Sequence, residues 1–317
     1  MADLFGQRID QSYIYVLNST PGTNIVTNGD GTNVDWNANG IILNTGAQTI
    51  DGQKNFLQIP HISGLEVLFR NNNLSGLGAA TSSLITENSV GVAILLGDNN
   101  LLSGQYSVIL AGELNELTGN NSLIGAGKRN SGEQASSSFI GAGSGNLLNN
   151  VQSSSILVGK SNTITGSNLA SIIAGQQNLI TEGSAGVIGG GTSNQVRADE
   201  GFIGGGNSNK VFSQGGAVLG GSTNISSGNS AVIGGGTNNS SIGSDSSILG
   251  GTINLVSGTS SSIVGGKSNN LSGTFSTIVA GSGNKVTGNE STIIGGEGNL
   301  VSGNASVIGG GRSNTVT

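Results

Sequence analysis

Polar and apolar positions repeat along most of this chain with a fixed period, and asparagine marks that period most clearly. Between residues 92 and 317 an asparagine returns every 15 or 16 residues, and six residues before it stands an isoleucine, replaced once by Val218. We number each repeat from its asparagine, position 0, so that the isoleucine occupies position −6. A constant period of this length predicts stacked coils of one supersecondary unit. The marking asparagines are Asn100, Asn115, Asn130, Asn146, Asn162, Asn178, Asn194, Asn209, Asn224, Asn239, Asn254, Asn269, Asn284, Asn299 and Asn314.

Each repeat predicts two short strands separated by glycine corners. Position −6 and, in most repeats, position +2 are apolar, whereas positions −8 and −4 carry mostly Ser, Gly or Ala. Side chains alternate between the faces of a strand, so these positions share one side and form a narrow interior. We therefore expect an all-β fold, a parallel β-solenoid or β-roll of 15–16-residue coils, with the asparagines forming a hydrogen-bonded ladder in a corner. At about 4.8 Å per parallel step, the shaft is roughly 70 Å long.

Positions −7 and −5 face the opposite side of the same strand, and the sizes of their side chains are complementary, so that a large residue at one accompanies a small residue at the other. Where position −5 is glycine, position −7 is bulky; where −5 is Leu, Ile or Val, −7 is Ser, Thr or Ala, except in the repeat with Val108 and Leu110. On a face in contact with water, the summed side-chain volume is not constrained, and the residues would be polar. We expect this stripe to be buried against other copies of the chain, and the stripe alone would suit a dimer as well as a trimer. The residues chosen as the interface between copies are Leu123, Phe139, Val187, Phe202, Val232, Ile294 and Val307.

Composition excludes several classes of function. The chain has 58 Gly, 2 Pro, 9% charged residues, no cysteine and a formal net charge of −6. An acidic balance with scattered Lys and Arg argues against a nucleic-acid partner. The absence of cysteine leaves no disulfide framework and no thiolate metal site. No apolar run has the length of a signal peptide or of a membrane span, so we expect synthesis in a cytoplasm and no membrane insertion.

The candidate catalytic groups are few. Paired carboxylates can cleave polysaccharide, but Asp199 and Glu200 fit a solvated corner, and Glu113 and Glu116 have no equivalents in the next repeat. The single histidine, His61, provides no triad and no transition-metal cluster. The glycine runs lack the strand–loop–helix setting of a phosphate loop. The ladder asparagines lack neighbouring carboxylates for calcium. We expect no catalytic residue, no metal, no cofactor and no enzyme activity.

Two consecutive segments, TGAQTIDGQKNF and then IPHISGLEVL, resemble two sequence elements that follow one another in phage tail-fibre proteins. The matching residues are Gln48, Thr49, Ile50, Gly52, Lys54, Phe56, Pro60, Gly64, Val67 and Leu68. The repeats themselves, such as SVIGGGRSNTVT, resemble the head repeats of YadA-like trimeric autotransporter adhesins. The second resemblance implies a trimer of parallel β-rolls. The two together imply a fibre of a phage, or of a phage-derived injection system.

The chain divides into three zones on this interpretation. Residues 1–40 are an N-terminal particle-attachment segment, residues 41–91 a small knob and leading turn, and residues 92–317 the β-solenoid shaft. The expected function is a structural virion fibre whose trimeric shaft projects a host-attachment tip. Its expected partners are phage tail or baseplate proteins, or capsid proteins, and a host cell-surface receptor. The alternatives are a phage head fibre, a surface adhesin and, less favoured, a polysaccharide-degrading tailspike.

Overall fold

In a computed structural model of the chain, residues 91–317 are described continuously, and before them only short strands between residues 25 and 85. Most of the predicted attachment segment and most of the predicted knob therefore lie outside the described residues. The described strands from residue 25 to residue 78 pair antiparallel. Ile25–Thr27 pairs with Asn33–Asp35, Ile42–Leu43 with Gln48–Thr49, and Leu65–Arg70 with both His61–Ile62 and Asn73–Gly78.

The rest of the described chain is a parallel β-solenoid of about 15 coils, and no helix occurs among the described residues. This confirms the predicted fold class. One parallel sheet consists of the strands that follow the 15 marking asparagines, together with Leu84–Ile85 before them, and we call it the asparagine-side sheet. Its 16 strands are Leu84–Ile85, Leu101–Leu102, Glu116–Leu117, Ser131–Ser136, Leu147–Gln152, Thr163–Thr165, Leu179–Thr181, Gln195–Val196, Lys210–Val211, Ile225–Ser226, Ser240–Ser241, Leu255–Val256, Asn270–Leu271, Lys285–Val286, Leu300–Val301 and Thr315–Val316.

A second parallel sheet contains the isoleucines of position −6, and we call it the isoleucine sheet. Each isoleucine pairs in register with its equivalent one coil away, as Ile109 does with Ile124 and Ile94. The 15 strands are Ala93–Ile94, Val108–Ile109, Leu123–Ile124, Phe139–Ile140, Ser155–Ile156, Ser171–Ile172, Val187–Ile188, Phe202–Ile203, Ala217–Val218, Val232–Ile233, Ser247–Ile248, Ser262–Ile263, Thr277–Ile278, Thr292–Ile293 and Val307–Ile308.

A third side of each coil is a single residue at position −2. It forms a parallel bridge with position −2 of the next coil, in a row that runs from Asp98 to Arg312. The sides are joined by sharp corners, and positions −9, −3 and −1 have positive φ throughout the described coils. The chain therefore enters the isoleucine sheet from the corner at position −9 and leaves it towards the corner at positions −4 and −3.

The core is a column of aliphatic side chains from positions −6 and +2. Ile109, Ile188 and Ile233 are completely buried within the single chain, and so are Val286 and Val301. Position +2 departs from the apolar rule at Gly132, Ser226 and Ser241. At Gly132 the neighbouring Leu117 fills the space, because a Cβ on Gly132 would lie 2.6 Å from its Cδ1. At Ser226 the buried hydroxyl donates to the Ala231 carbonyl at 2.7 Å.

The longer coils absorb their additional residue in one place. The four 16-residue intervals lie between Asn130 and Asn194, and in each the residue four positions after the asparagine has positive φ. These residues are Gln134, Asn150, Gly166 and Glu182. The insertion thus lies after the asparagine and before the isoleucine strand, as the sequence predicts, and leaves the register of the isoleucine sheet unchanged.

Candidate functional surface and internal ladders

The asparagine ladder occupies the interior, as predicted, and each member links three coils. Asn209 is fully buried, and its backbone N–H donates to Oδ1 of Asn194 at 3.0 Å. Its Nδ2 donates to the carbonyl oxygens of Gly205, at 3.0 Å, and Gly221, at 2.9 Å. Its Oδ1 accepts the N–H of Asn224 at 3.0 Å. The side chain thereby satisfies the Gly205 carbonyl and the Asn224 N–H in the corner, and it adds a second bond to the Gly221 carbonyl, which also accepts the N–H of Asn207 at 2.9 Å.

The ladder is continuous over the described coils. Among the members chosen from the sequence, Asn100, Asn115, Asn194, Asn254 and Asn284 are buried, and Asn314 in the last coil is exposed. The backbone N–H of Asn115 donates to Oδ1 of Asn100, and that of Asn314 to Oδ1 of Asn299. An amide side chain suits this position because one end accepts and the other donates twice.

A column of glycines at position −3 makes the ladder possible, and our sequence analysis does not single it out. Each of these glycines has positive φ, and its carbonyl oxygen accepts the Nδ2 of the asparagine in the coil before it, as Gly221 does from Asn209. A Cβ on Gly206 would lie 2.1 Å from the Gly221 carbonyl oxygen and 2.7 Å from Nδ2 of Asn209. The signal was present in the sequence, since position −3 is glycine in all 15 coils.

A second ladder, of serines at position −8, is also absent from the sequence predictions. The hydroxyl of Ser276 lies 3.0 Å from the carbonyl oxygens of Thr274 and Gly288, and it accepts the N–H of Ser291 at 3.1 Å. The same contacts recur at Ser107 and Ser122. The middle coils carry Gly or Ala at this position and lack the ladder. The small residues there thus do more than leave room for isoleucine.

The apolar stripe lies on the outer face of the isoleucine sheet. Phe139, Phe202, Val232, Ile294 and Val307 are between 36% and 63% exposed, whereas Leu123 and Val187 are half-buried. In every coil that lacks a bulky residue at position −7, position −5 supplies one. These are Leu95, Leu157, Ile173, Leu219, Leu249, Val264, Val279 and Ile294, and the coil with Val108 also carries Leu110. From residue 91 to residue 317, the single chain thus presents at least one large apolar group per coil.

Two of the four candidate carboxylates, Asp199 and Glu113, have structural contacts. Oδ1 of Asp199 accepts the backbone N–H of Ser184 at 2.8 Å, which is the contact that Asn168 makes with Gln152 in an earlier coil. Glu113 pairs with Lys128 at 2.9 Å along the row of position −2. Within the described residues, no group of three or more His, Cys, Asp and Glu side chains could hold a metal ion.

No protein-family model and no curated protein matches the chain. The described residues also contain no helix of the length and apolarity that crossing a membrane requires. The fold and the stripe are therefore the observations from which a function can be argued.

Proposed function

We propose that the chain is the shaft-forming subunit of a homotrimeric structural fibre, carried by a phage or phage-derived particle. The observation that carries the proposal is the apolar stripe, exposed on one face of a rod of about 15 coils. Contiguous apolar surface of this extent marks an interaction site in a soluble protein. A rod with a self-associating face forms a stiff shaft, and three copies give a tip avidity for its target.

The spacing of the stripe favours a second copy of the chain as its partner. The stripe presents one bulky group per coil, so a partner that fits it over its whole length must have the same repeat. Fifteen coils at about 4.8 Å make a stripe about 70 Å long, and with a width of about 10 Å it covers roughly 700 Å². A stable interface buries about 800 Å² on each partner, so the stripe is close to the size that such an interface needs.

The placement of the fibre on a particle rests on the two resemblances in the sequence. In this proposal residues 1–40 attach the fibre to tail, baseplate or capsid proteins, and the shaft holds a tip near a host cell-surface receptor. The localisation is the virion. Electron microscopy of whole particles, labelled with antibody against residues 92–317, tests this placement; label absent from the particles contradicts it.

The assembly is tested by changing one residue of the stripe. Phe202→Asp places a charge within the apolar interface, where it lacks a partner, so the variant should dissociate into smaller species. Lys285→Asp changes an exposed side chain on the other sheet and serves as the control. Analytical ultracentrifugation of the full chain measures both. A wild-type protein that sediments as a monomer, or equal behaviour of the two variants, shows that the stripe is not an interface.

The proposal also predicts that the assembled protein does not hydrolyse capsular polysaccharide or lipopolysaccharide. Asp199, the candidate acid in the corner, already accepts hydrogen bonds from the N–H and hydroxyl of Ser184. Release of reducing ends from purified polysaccharide is the measurement. Turnover that is lost in Asp199→Asn or Glu200→Gln would make the protein a depolymerase instead.

A further inference from the structure

The cations of the rod lie along one edge of it. Between residues 91 and 317 the chain has eight Lys and Arg residues, and seven of them occupy positions −2, −1 or +1, around the corner that leads into the asparagine-side sheet. We call this surface the basic edge. Its seven cations are Lys128, Arg129, Lys160, Lys210, Lys267, Lys285 and Arg312. Cations that are scattered along the sequence are therefore brought together by the period of the coils.

The acids are distributed differently, so the basic edge keeps unpaired positive charge. Of the seven Asp and Glu residues after Asn130, six lie at positions +3, +4, −10 and −9, around the corner between the asparagine-side sheet and the isoleucine sheet. The seventh, Glu297, pairs with Arg312 at 3.3 Å, and Lys128 pairs with Glu113 at 2.9 Å. The other five cations of the basic edge form no ion pair with any residue that the structure describes, and all but the half-buried Lys210 are exposed.

A column of backbone N–H groups at position −3 runs beside the basic edge. In the ten coils from Asn178 to Asn314, the carbonyl oxygen of position −4 accepts Nδ2 of the asparagine in the same coil, so it faces the interior. The C=O and N–H of a trans peptide point to opposite sides, so the N–H of position −3 faces outward. No residue in these ten coils accepts a hydrogen bond from it. Position −3 is always glycine and position −4 is Gly or Ala, so no long side chain covers these donors.

Uncharged polar side chains occupy the basic edge between its cations. Six consecutive coils carry a hydroxyl or an amide at position −2, and these residues are Gln176, Thr192, Asn207, Ser222, Thr237 and Thr252. A hydroxyl both donates and accepts, and an amide has one end of each kind. Together with the N–H column, these groups suit a ligand rich in hydroxyls, whereas the cations suit an acidic ligand. A sugar polymer with acidic groups has both properties.

The spacing of the cations favours a sparsely charged polymer. From Lys128 to Arg312 the basic edge extends over twelve coil steps, about 58 Å, which gives about one cation per 8 Å. Each strand of a nucleic acid carries one phosphate per about 3.4 Å, so most of its charge would lack a partner on this edge. A polysaccharide in which neutral sugars separate the acidic ones has a lower charge density, which this edge matches.

We propose that the basic edge binds a linear, carboxylate-bearing polysaccharide that lies along the axis of the rod. The cations contact the carboxylates, and the N–H column and the polar side chains of position −2 bond the hydroxyls between them. Contacts repeated over several coils add up to useful affinity although each one is weak. The inference goes beyond the proposed fibre, because it assigns a ligand to the shaft itself, and it applies to a single copy as well as to an oligomer.

Binding of labelled hyaluronate, whose charged groups are carboxylates, tests the proposal, with uncharged dextran as the comparison. The full chain should bind hyaluronate and not dextran, and added salt should weaken the binding because it screens exposed charges. Lys160→Gln/Lys267→Gln removes two exposed cations and should raise the apparent Kd about fivefold, the loss expected for two exposed ion pairs. The control Gln214→Glu/Asn229→Asp makes the same change in net charge at position −10, also at exposed sites, and should leave the Kd nearly unchanged.

The outcomes separate this inference from the proposed assembly. A chain that does not bind hyaluronate, or two variants that weaken the binding equally, overturns the assignment of the basic edge. Tighter binding of single-stranded DNA or polyphosphate at the same salt concentration also overturns it, because the edge would then select for charge density. Ultracentrifugation of the same samples reports the assembly independently. A monomer that binds hyaluronate through the basic edge contradicts the fibre alone, and an oligomer that does not bind it contradicts this inference alone.

Discussion

Replacing Gly206 with alanine should destabilise the rod by about 3 kcal/mol or more, whereas the same change at Gly205 should be neutral or slightly stabilising. A Cβ at Gly206 would lie 2.1 Å from the Gly221 carbonyl oxygen, and its φ of +95° is unfavourable for any other residue. At Gly205 the nearest atom to a new Cβ is 4.0 Å away. There alanine lowers only the conformational entropy of the unfolded chain.

The melting temperature, followed by circular dichroism, measures the difference between these neighbours. Repeat proteins can open locally, so limited proteolysis should accompany it and should show cleavage near residue 206 in the first variant. Equal melting temperatures and equal protease resistance would contradict the account of the glycine column. The comparison is well matched, because the two glycines are adjacent in one corner.

Replacing Asn209 with aspartate should cost about 3–5 kcal/mol. The amide nitrogen of Asn209 donates to two carbonyl oxygens in a fully buried site, and a carboxylate would instead repel both and remain without a cation. Relative to the wild type, the loss should become smaller on acidification, since a protonated carboxyl can donate to one of the carbonyls. Denaturant unfolding at neutral and acidic pH provides the measurement.

The matched control for the asparagine ladder is Asn304→Asp. The side chain of Asn304 is exposed, and its Oδ1 accepts the N–H of Asn289 at 2.9 Å. A carboxylate oxygen can accept the same bond, as Asp199 does from Ser184. We expect a change within about 0.5 kcal/mol, as for other surface substitutions. A comparable loss at both positions would show that position 0 has no special role.

The period and the chemical type of the repeating residues suffice to predict the architecture. Isoleucine at −6 and asparagine at 0 recur too regularly for a globular core, and the structure places both inside the solenoid. The volume exchange between −7 and −5 likewise predicts an outward apolar face, and the structure places Phe202 and Val232 there. Trimeric association remains a prediction, because a single chain does not test it.

The details that sequence reasoning missed depend on distances between coils. The importance of position −3 follows from the close approach of one backbone to the next, which glycine composition alone does not locate. The pattern at position −8 predicts only small residues, because the partners of a serine hydroxyl are known only when the carbonyls of the next coil are in place. Gly132 departs from the apolar pattern of position +2, and only packing shows that Leu117 fills its space.

By itself, the sequence determined that this protein is a stack of 15–16-residue β-coils with an internal ladder and one apolar outer face. It could do so because a repeated side chain meets its own equivalent, so the period defines the neighbours in advance. The tertiary structure alone decided which glycines are indispensable and which serines are bonded. It also decided that the N–H groups of position −3 face outward in the coils from Asn178 to Asn314. These properties depend on where corners bring separate coils together, and the linear pattern does not contain those distances.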